Sequence, residues 1–133
     1  VGIEGTWSFE MTVKKRSELS VDQIIRRFID LSLTQHEAVL YLETRPYNRA
    51  YLKIKGLAEE LEARPGDQRH VLVDLFDHPN PQVRLNAATY AHPLFPGPAI
   101  KVVQSIIDAK RHPQEADART VLDYLINGPL EPE

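Results

Sequence analysis

Four residues carry the chain's clearest potential for metal or acid–base chemistry: His70, Asp74, Asp77 and His78. On a helix of ~3.6 residues per turn they share an arc of about 100°, and imidazole nitrogens with carboxylate oxygens suit a divalent metal. The same arc lies opposite Val71, Leu72, Leu75 and Phe76. A solvated polar face therefore explains it more simply, and no His-Glu-x-x-His grouping accompanies it. Glu59, Glu60 and Glu62 form a second acidic group, but exposed carboxylates lack the burial that shifts a pKa toward catalytic use. Ser17, Ser20, Ser32 and Ser105 stand in no nucleophile elbow, and no glycine-rich phosphate loop occurs. The residues thus predict a protein that is not an enzyme and takes no cofactor or metal. The rival is a metal-binding protein or enzyme using the His70, Asp74, Asp77 and His78 face.

Charge and composition narrow the partners. A net charge of -3 lacks the basic excess or stripe by which nucleic-acid binders are recognised, so neither nucleic acid nor a membrane surface is the expected partner. The absence of cysteine removes disulfide scaffolds and thiolate metal sites. No apolar run approaches the ~20 residues of a bilayer span, and a cytoplasmic protein is the simplest expectation. A chain of 133 residues, 42% hydrophobic and 26% charged, suits one globular domain.

The elements that must position any site are helical. Residues 1–18 differ from the rest: Trp7, Phe9, Met11 and Val13 alternate with Ser8, Glu10, Thr12 and Lys14, the period of a half-buried strand. They read as an N-terminal extension, partly non-native ahead of Met11, or as an edge strand that pairs with a second copy through residues 6–13. Residues 19–133 read as the helical domain. Ser17 and Ser20 are N-cap candidates for a first helix over 21–42, with Val21, Ile24, Ile25, Phe28, Ile29 and Leu31 at helical spacing and a break or kink where Thr34-Gln35-His36 dilutes the stripe. A second helix over 47–63 buries Tyr47, Ala50, Tyr51, Ile54, Leu57, Ala58 and Leu61, with Gly56 off that stripe. Arg64-Pro65-Gly66-Asp67 stops it, and Asp67 caps a third helix over 68–78.

A fourth helix starts at Pro81 and runs over 81–91, burying Val83, Ala87 and Ala91 with Ala88 and Tyr90 at its margins. Pro93, Pro96, Gly97 and Pro98 predict a rigid, non-helical connector. The fifth helix, over 98–110, carries Ile100, Val102, Val103, Ile106 and Ile107. The sixth, over 114–127, carries Ala118, Val121, Leu122 and Leu125, and Gly128-Pro129 ends it.

The last two helix pairs echo each other. A shift of 34 aligns Leu72 with Ile106, Asp74 with Asp108, and His78-Pro79 with His112-Pro113; a shift of 35 aligns Val83 with Ala118 and Arg84 with Arg119. The period is shorter than the ~40–47 residues of HEAT and armadillo units. Even so, Asp77, Pro79, Pro81, Val83, Arg84 and Ala87-Ala88 resemble the Asp-x-Pro-x-Pro-x-Val-Arg turn of a HEAT-type repeat. That resemblance implies a polar ladder through Asp77 and Arg84. From about residue 20 onward, Arg64 to Asp67, Asp77 to Arg84 and Asn127-Gly128 are similar to the pattern of a small uncharacterised bacterial family of HEAT-like (armadillo-type) helical repeat domains. The resemblance implies an all-α, right-handed α-α superhelix of about six helices in three pairs, and no activity.

Such stacks leave a surface formed mainly by their second helices. Helical-wheel placement puts Arg49, Leu52 and Lys53, then Gln82, Leu85, Asn86 and Thr89, then Thr120, Asp123 and Tyr124 on it. Arg45, Arg49 and Lys53 make a small basic strip, more simply a solvated face. The expected function is a non-catalytic protein–protein interaction module whose partner is another protein. One concrete form is a bacterial immunity protein that neutralises a cognate toxin. A homo-oligomeric structural or adaptor protein is the alternative.

Overall fold

A computed structural model describes residues 15–129. Those residues are helical throughout: α1 Val21–Leu40, α2 Thr44–Ala63, α3 Pro81–Ala91, α4 Pro96–Asp108 and α5 Gln114–Asn127, with 3₁₀ segments at Arg16–Glu18 and Gln68–Leu75. The Trp7–Val13 strand and any pairing through residues 6–13 lie outside the described residues.

α1 is one unbroken helix of 20 residues, without a break at Thr34-Gln35-His36. Its start is fixed by a reciprocal capping box. Ser20 Oγ accepts from the Gln23 N–H at 3.1 Å, and Gln23 Oε1 accepts from the Ser20 N–H at 2.9 Å, satisfying two otherwise orphaned donors. α1 packs against α2. Leu19, Ile24, Phe28, Ile54, Leu57 and Leu61 meet Leu72, Leu75, Val83, Ala87 and Ala91 in an apolar core. The segment entering α1 is tied to the end of α2 by Arg64. Its guanidinium donates to the Leu19 and Arg16 carbonyls at 2.6 and 3.1 Å and pairs with Glu60 at 2.9 Å. Gly56 is buried, contrary to its expected place off the stripe. A Cβ there would come within 2.5 Å of the Arg16 guanidinium, so the glycine lets Arg16 lie across α2.

The third expected helix is a 3₁₀ helix, Gln68–Leu75, rather than an α-helix. Its two buried side chains, Leu72 and Leu75, are three apart, and a 3₁₀ helix of ~3.0 residues per turn stacks such a pair on one face. Asp67 fixes its start from the left-handed region, φ 48°, with its carboxylate accepting from the Arg69 N–H and holding the Arg69 guanidinium at 2.6 Å.

Asn80 then caps α3 by accepting from the N–H groups of Gln82 and Val83 at 2.8 and 3.3 Å, and Pro81 occupies the first turn as expected. α3 sits at the centre. The preceding 3₁₀ helix, α1, α4 and α5 all pack against it, so none of its side chains is freely exposed, and Ala88 lies fully inside rather than at a margin. Leu85 and Ala88 join Ala99, Val103, Ile106, Ile107 and Ala118 in a second apolar cluster. The Pro96-Gly97-Pro98 stretch is the first turn of α4 rather than a non-helical connector. Prolines are tolerated there because first-turn N–H groups have no intrahelical acceptor. Gly128, φ 77°, ends α5.

Candidate functional site

Two features meet where α1, α2, α3 and α5 converge. The first is a buried polar seam. α1 buries Ile24 and Phe28 in its first half, but Ser32 and Gln35 further along. Ser32 Oγ donates back to the Phe28 carbonyl at 2.8 Å. Asn86 Nδ2 of α3 donates to Ser32 Oγ at 2.9 Å and to Gln35 Oε1 at 2.7 Å. Gln82 Nε2 donates to Asn86 Oδ1 at 3.2 Å and reaches Gln35 Oε1 at 3.5 Å. From α5, Gln114 Nε2 donates to Gln82 Oε1 at 3.3 Å and lies 2.9 Å from His36 Nδ1. The seam joins three helices that are far apart in sequence. One acceptor, Gln114 Oε1, is buried without a partner among the described residues.

The second feature is a cleft of about 170 Å³ over the seam, walled by Tyr47, Tyr51 and Ile54 of α2, Leu85, Thr89 and Tyr90 of α3, and Asp117, Thr120 and Val121 of α5. The Tyr47 hydroxyl donates to Asp117 Oδ2 at 3.2 Å. Burial first, then the adjacent Asp117 carboxylate, pushes the Tyr47 phenol up to about 12. Burial also raises Tyr90, whose ring meets Phe28 edge-on at 6.3 Å. Both phenols are therefore neutral across the physiological range.

Beyond the Tyr47–Asp117 pair, the same two residues border a broader groove of about 640 Å³, with Val39, Leu40 and Leu42 on one side and Pro113 and Ala116 on the other. Leu42 is 89% exposed with φ 56°. It sits where α1 stops. The Glu43 N–H bonds the Ala38 carbonyl at 2.8 Å and the Leu42 N–H bonds the Val39 carbonyl at 3.2 Å, a Schellman arrangement whose left-handed position glycine usually fills.

The residues expected on a common surface divide. Arg49, Leu52 and Lys53 are exposed on α2, Leu52 at 63%, but line neither cleft nor groove. Asp123 and Tyr124 are exposed on α5, also apart from both. Gln82 and Leu85, expected outside, are each only 2% exposed, because α3 is enclosed by its neighbours and has no outer side. Asn86 and Thr89 are half-buried and do line the cleft, with Gln82 and Leu85.

The turn residues Asp77 and Arg84 form no ladder. Among the described residues neither enters an ion pair. Asp77 is exposed, while Arg84 Nε is buried without a partner among the described residues, and burial and then Arg111 lower the Arg84 pKa. Pro79 is exposed, and Pro81 and Val83 are buried, all serving the turn and the core.

The His70, Asp74, Asp77 and His78 arc also dissolves. At ~3.0 residues per turn His70 and Asp74 point about 120° apart. His70 Nδ1 faces the Asp67 carbonyl at 3.1 Å, and His78 Nδ1 accepts from the Asn80 N–H at 3.0 Å. Among the described residues no group of three or more His, Asp or Glu side chains is placed to hold a metal ion. No described helix is long and apolar enough to cross a membrane.

Comparison with known proteins bears on the whole helical unit. Residues 22–126 match the model of a family described as Domain of unknown function (DUF2019). The chain belongs to the DUF2019 family. The crystal structure of the protein RPA1889 from Rhodopseudomonas palustris CGA009 is similar, with a TM-score of 0.81 and 32% sequence identity over 91% of this chain and 100% of that one. No curated protein matches the chain. The DUF2019 match starts one residue into α1 and ends one residue short of the end of α5, so it takes in every helix that walls the cleft.

Gln114 and Asp117 carry no sequence signal, and spacing marks Tyr47 and Tyr51 only as part of a buried stripe and Tyr90 as its margin; Tyr51 is instead 47% exposed, at the rim of the cleft. The one sequence signal was the polar interruption at Thr34-Gln35-His36, which marks the seam.

Proposed function

We propose that this DUF2019 protein is a non-catalytic protein–protein interaction module, of HEAT-like helix-pair type, whose working surface is the groove at the α1–α2 turn. The observation that carries this reading is Leu42. A leucine in the left-handed region costs roughly 1–2 kcal/mol, and exposing it forgoes the ~1.5–3 kcal/mol that burial would return. Glycine or asparagine would relieve the backbone there, so a side chain disfavoured on both counts has a use outside the fold. Leu40 and Tyr41 beside it are exposed as well. A clustered apolar surface with a polar rim is the usual character of an interaction site.

Glu43 and Asp117 put carboxylates on the groove's border. That mixed apolar and acidic face favours, within this class, a cytoplasmic bacterial immunity protein that occludes a basic active site on a cognate toxin.

The test uses wild-type and Leu42→Asn chains as equal baits in extract of the source cells, with the captured proteins quantified. A partner enriched at least tenfold on the wild type supports the reading, and its neighbouring-gene context and ability to arrest growth test the immunity form. Identical captures on both baits overturn it. If light scattering shows a wild-type dimer that Leu42→Asn dissolves, the groove's partner is a second copy.

A further inference from the structure

We propose that the Tyr47–Tyr51–Tyr90 cleft is a binding site for an alkylammonium cation. Three independent observations converge on that chemistry. The first is aromatic: three tyrosines, two from consecutive turns of α2 and one from α3, wall a space of about 170 Å³. Aromatic faces attract cations through the ring quadrupole, and clusters of them around a small cavity suit methylated and alkylated ammonium groups. The second is charge. Among the described residues, Asp117 is the only ionisable side chain lining the cleft apart from the tyrosines, and no lysine, arginine or histidine lines it. Asp117 accepts the Tyr47 hydroxyl and forms no ion pair among the described residues, so its carboxylate has no cationic partner of its own.

The third observation concerns the floor. The oxygens that Gln35, Gln82 and Asn86 offer are already engaged: Gln35 Oε1 by Asn86, Asn86 Oδ1 by Gln82, and Gln82 Oε1 by Gln114. Recognition therefore falls to the rings and the carboxylate, which favour a compact cation over a neutral hydrogen-bonding ligand. The size agrees. With ~30 Å³ for each water-sized atom, the cleft holds roughly five or six, the size of a quaternary ammonium head. Tyr51, 47% exposed, forms the rim, so the site opens to solvent.

The cation can come from a free small molecule or from a lysine side chain of a bound protein. The shared chemistry is the alkylammonium head, and this assignment does not depend on the groove at Leu42.

The test is an NMR titration of the full chain with choline chloride, with Nα-acetyl-lysine methylamide, and with 3,3-dimethyl-1-butanol, the uncharged isostere of choline. Either cation should shift the Tyr47, Tyr51, Thr89 and Thr120 signals saturably at millimolar concentration, and the neutral isostere should bind at least tenfold more weakly. Tighter choline binding points to a free metabolite; tighter lysine-amide binding points to a partner side chain. Asp117→Asn should weaken the cation at least tenfold. Tyr51→Leu, at an exposed rim position that leaves the core untouched, should weaken it severalfold. Leu42→Asn should bind the cation like wild type, which separates this site from the interaction surface. Equal affinity for choline and its isostere, no saturable shift with either cation up to 100 mM, or unchanged binding by a folded Asp117→Asn chain would overturn the assignment.

Discussion

The two halves of α1 face interiors of opposite kind. Toward its N-terminus, Ile24 and Phe28 enter a dry core with Ile54, Leu61 and Leu72. Toward its C-terminus, Ser32 and Gln35 enter a hydrogen-bonded seam with Gln82, Asn86 and Gln114. Burying apolar surface returns free energy roughly in proportion to area, whereas a buried amide network at best repays its own desolvation. The dry half therefore holds the fold, and the wet half is tolerated by it. The cleft and the groove both lie at the wet end of α1, where Gln35, Val39, Leu40 and Leu42 contribute to their walls.

Substitutions in each half should separate these roles. The largest effect belongs to the dry half. Phe28→Ala removes a fully buried ring and its edge contact with Tyr90, and should cost ~3–5 kcal/mol in a urea titration. In the wet half, Gln82→Met alone should cost ~1–3 kcal/mol, because it strands the amides of Asn86 and Gln114 among buried neighbours. Changing Gln35, Gln82 and Gln114 to methionine together with Asn86→Leu removes the stranded amides with the network. That quadruple variant should recover to within ~1 kcal/mol of wild type while losing definition at the cleft. A quadruple variant far less stable than the single one would mean that the seam, too, holds the fold.

A smaller effect should appear at high pH. The Tyr47 phenol is raised in the folded chain from 10.0 to about 12, so the folded state keeps a proton that the unfolded chain releases. Its contribution is fully present below pH 10 and is lost as pH rises from 10 through 12. Tyr90 is displaced in the same direction. Denaturant midpoints measured from pH 9 to 12 should fall, and Tyr47→Phe should fall less steeply than wild type.

The dry half was legible in the sequence and the wet half was not, for a physical reason. Apolar residues at i, i+3 and i+4 place Ile24, Phe28, Ile54, Leu57 and Leu61 inward whatever their partners. The local start and stop signals at Ser20, Asp67, Pro81 and Gly128 are set within a few residues. A buried glutamine has no such signature. Gln35 is inside only because Asn86 and Gln82, some fifty residues away, supply its hydrogen bonds. The same blindness put Leu85 and Gln82 on an outer face: the helical wheel gives a side to α3, but four neighbouring elements leave it none. The Gln68–Leu75 segment fits the α-helical period in sequence, but Leu72 and Leu75 also fit three residues per turn, and the His–Asp arc exists only at the α-helical period. Leu42 could not stand out either, since nothing local marks a leucine as exposed in the left-handed region.

Leu42→Asn tests the division of labour between fold and working surface most directly, with stability and partner capture measured on the same preparation. A leucine kept for contact predicts that the variant is as stable as wild type or up to ~1 kcal/mol more stable, while the captured partner falls at least tenfold. A leucine that serves the α1–α2 turn predicts the reverse: stability reduced by more than ~1 kcal/mol and capture unchanged, which would contradict the groove as the surface this protein works through.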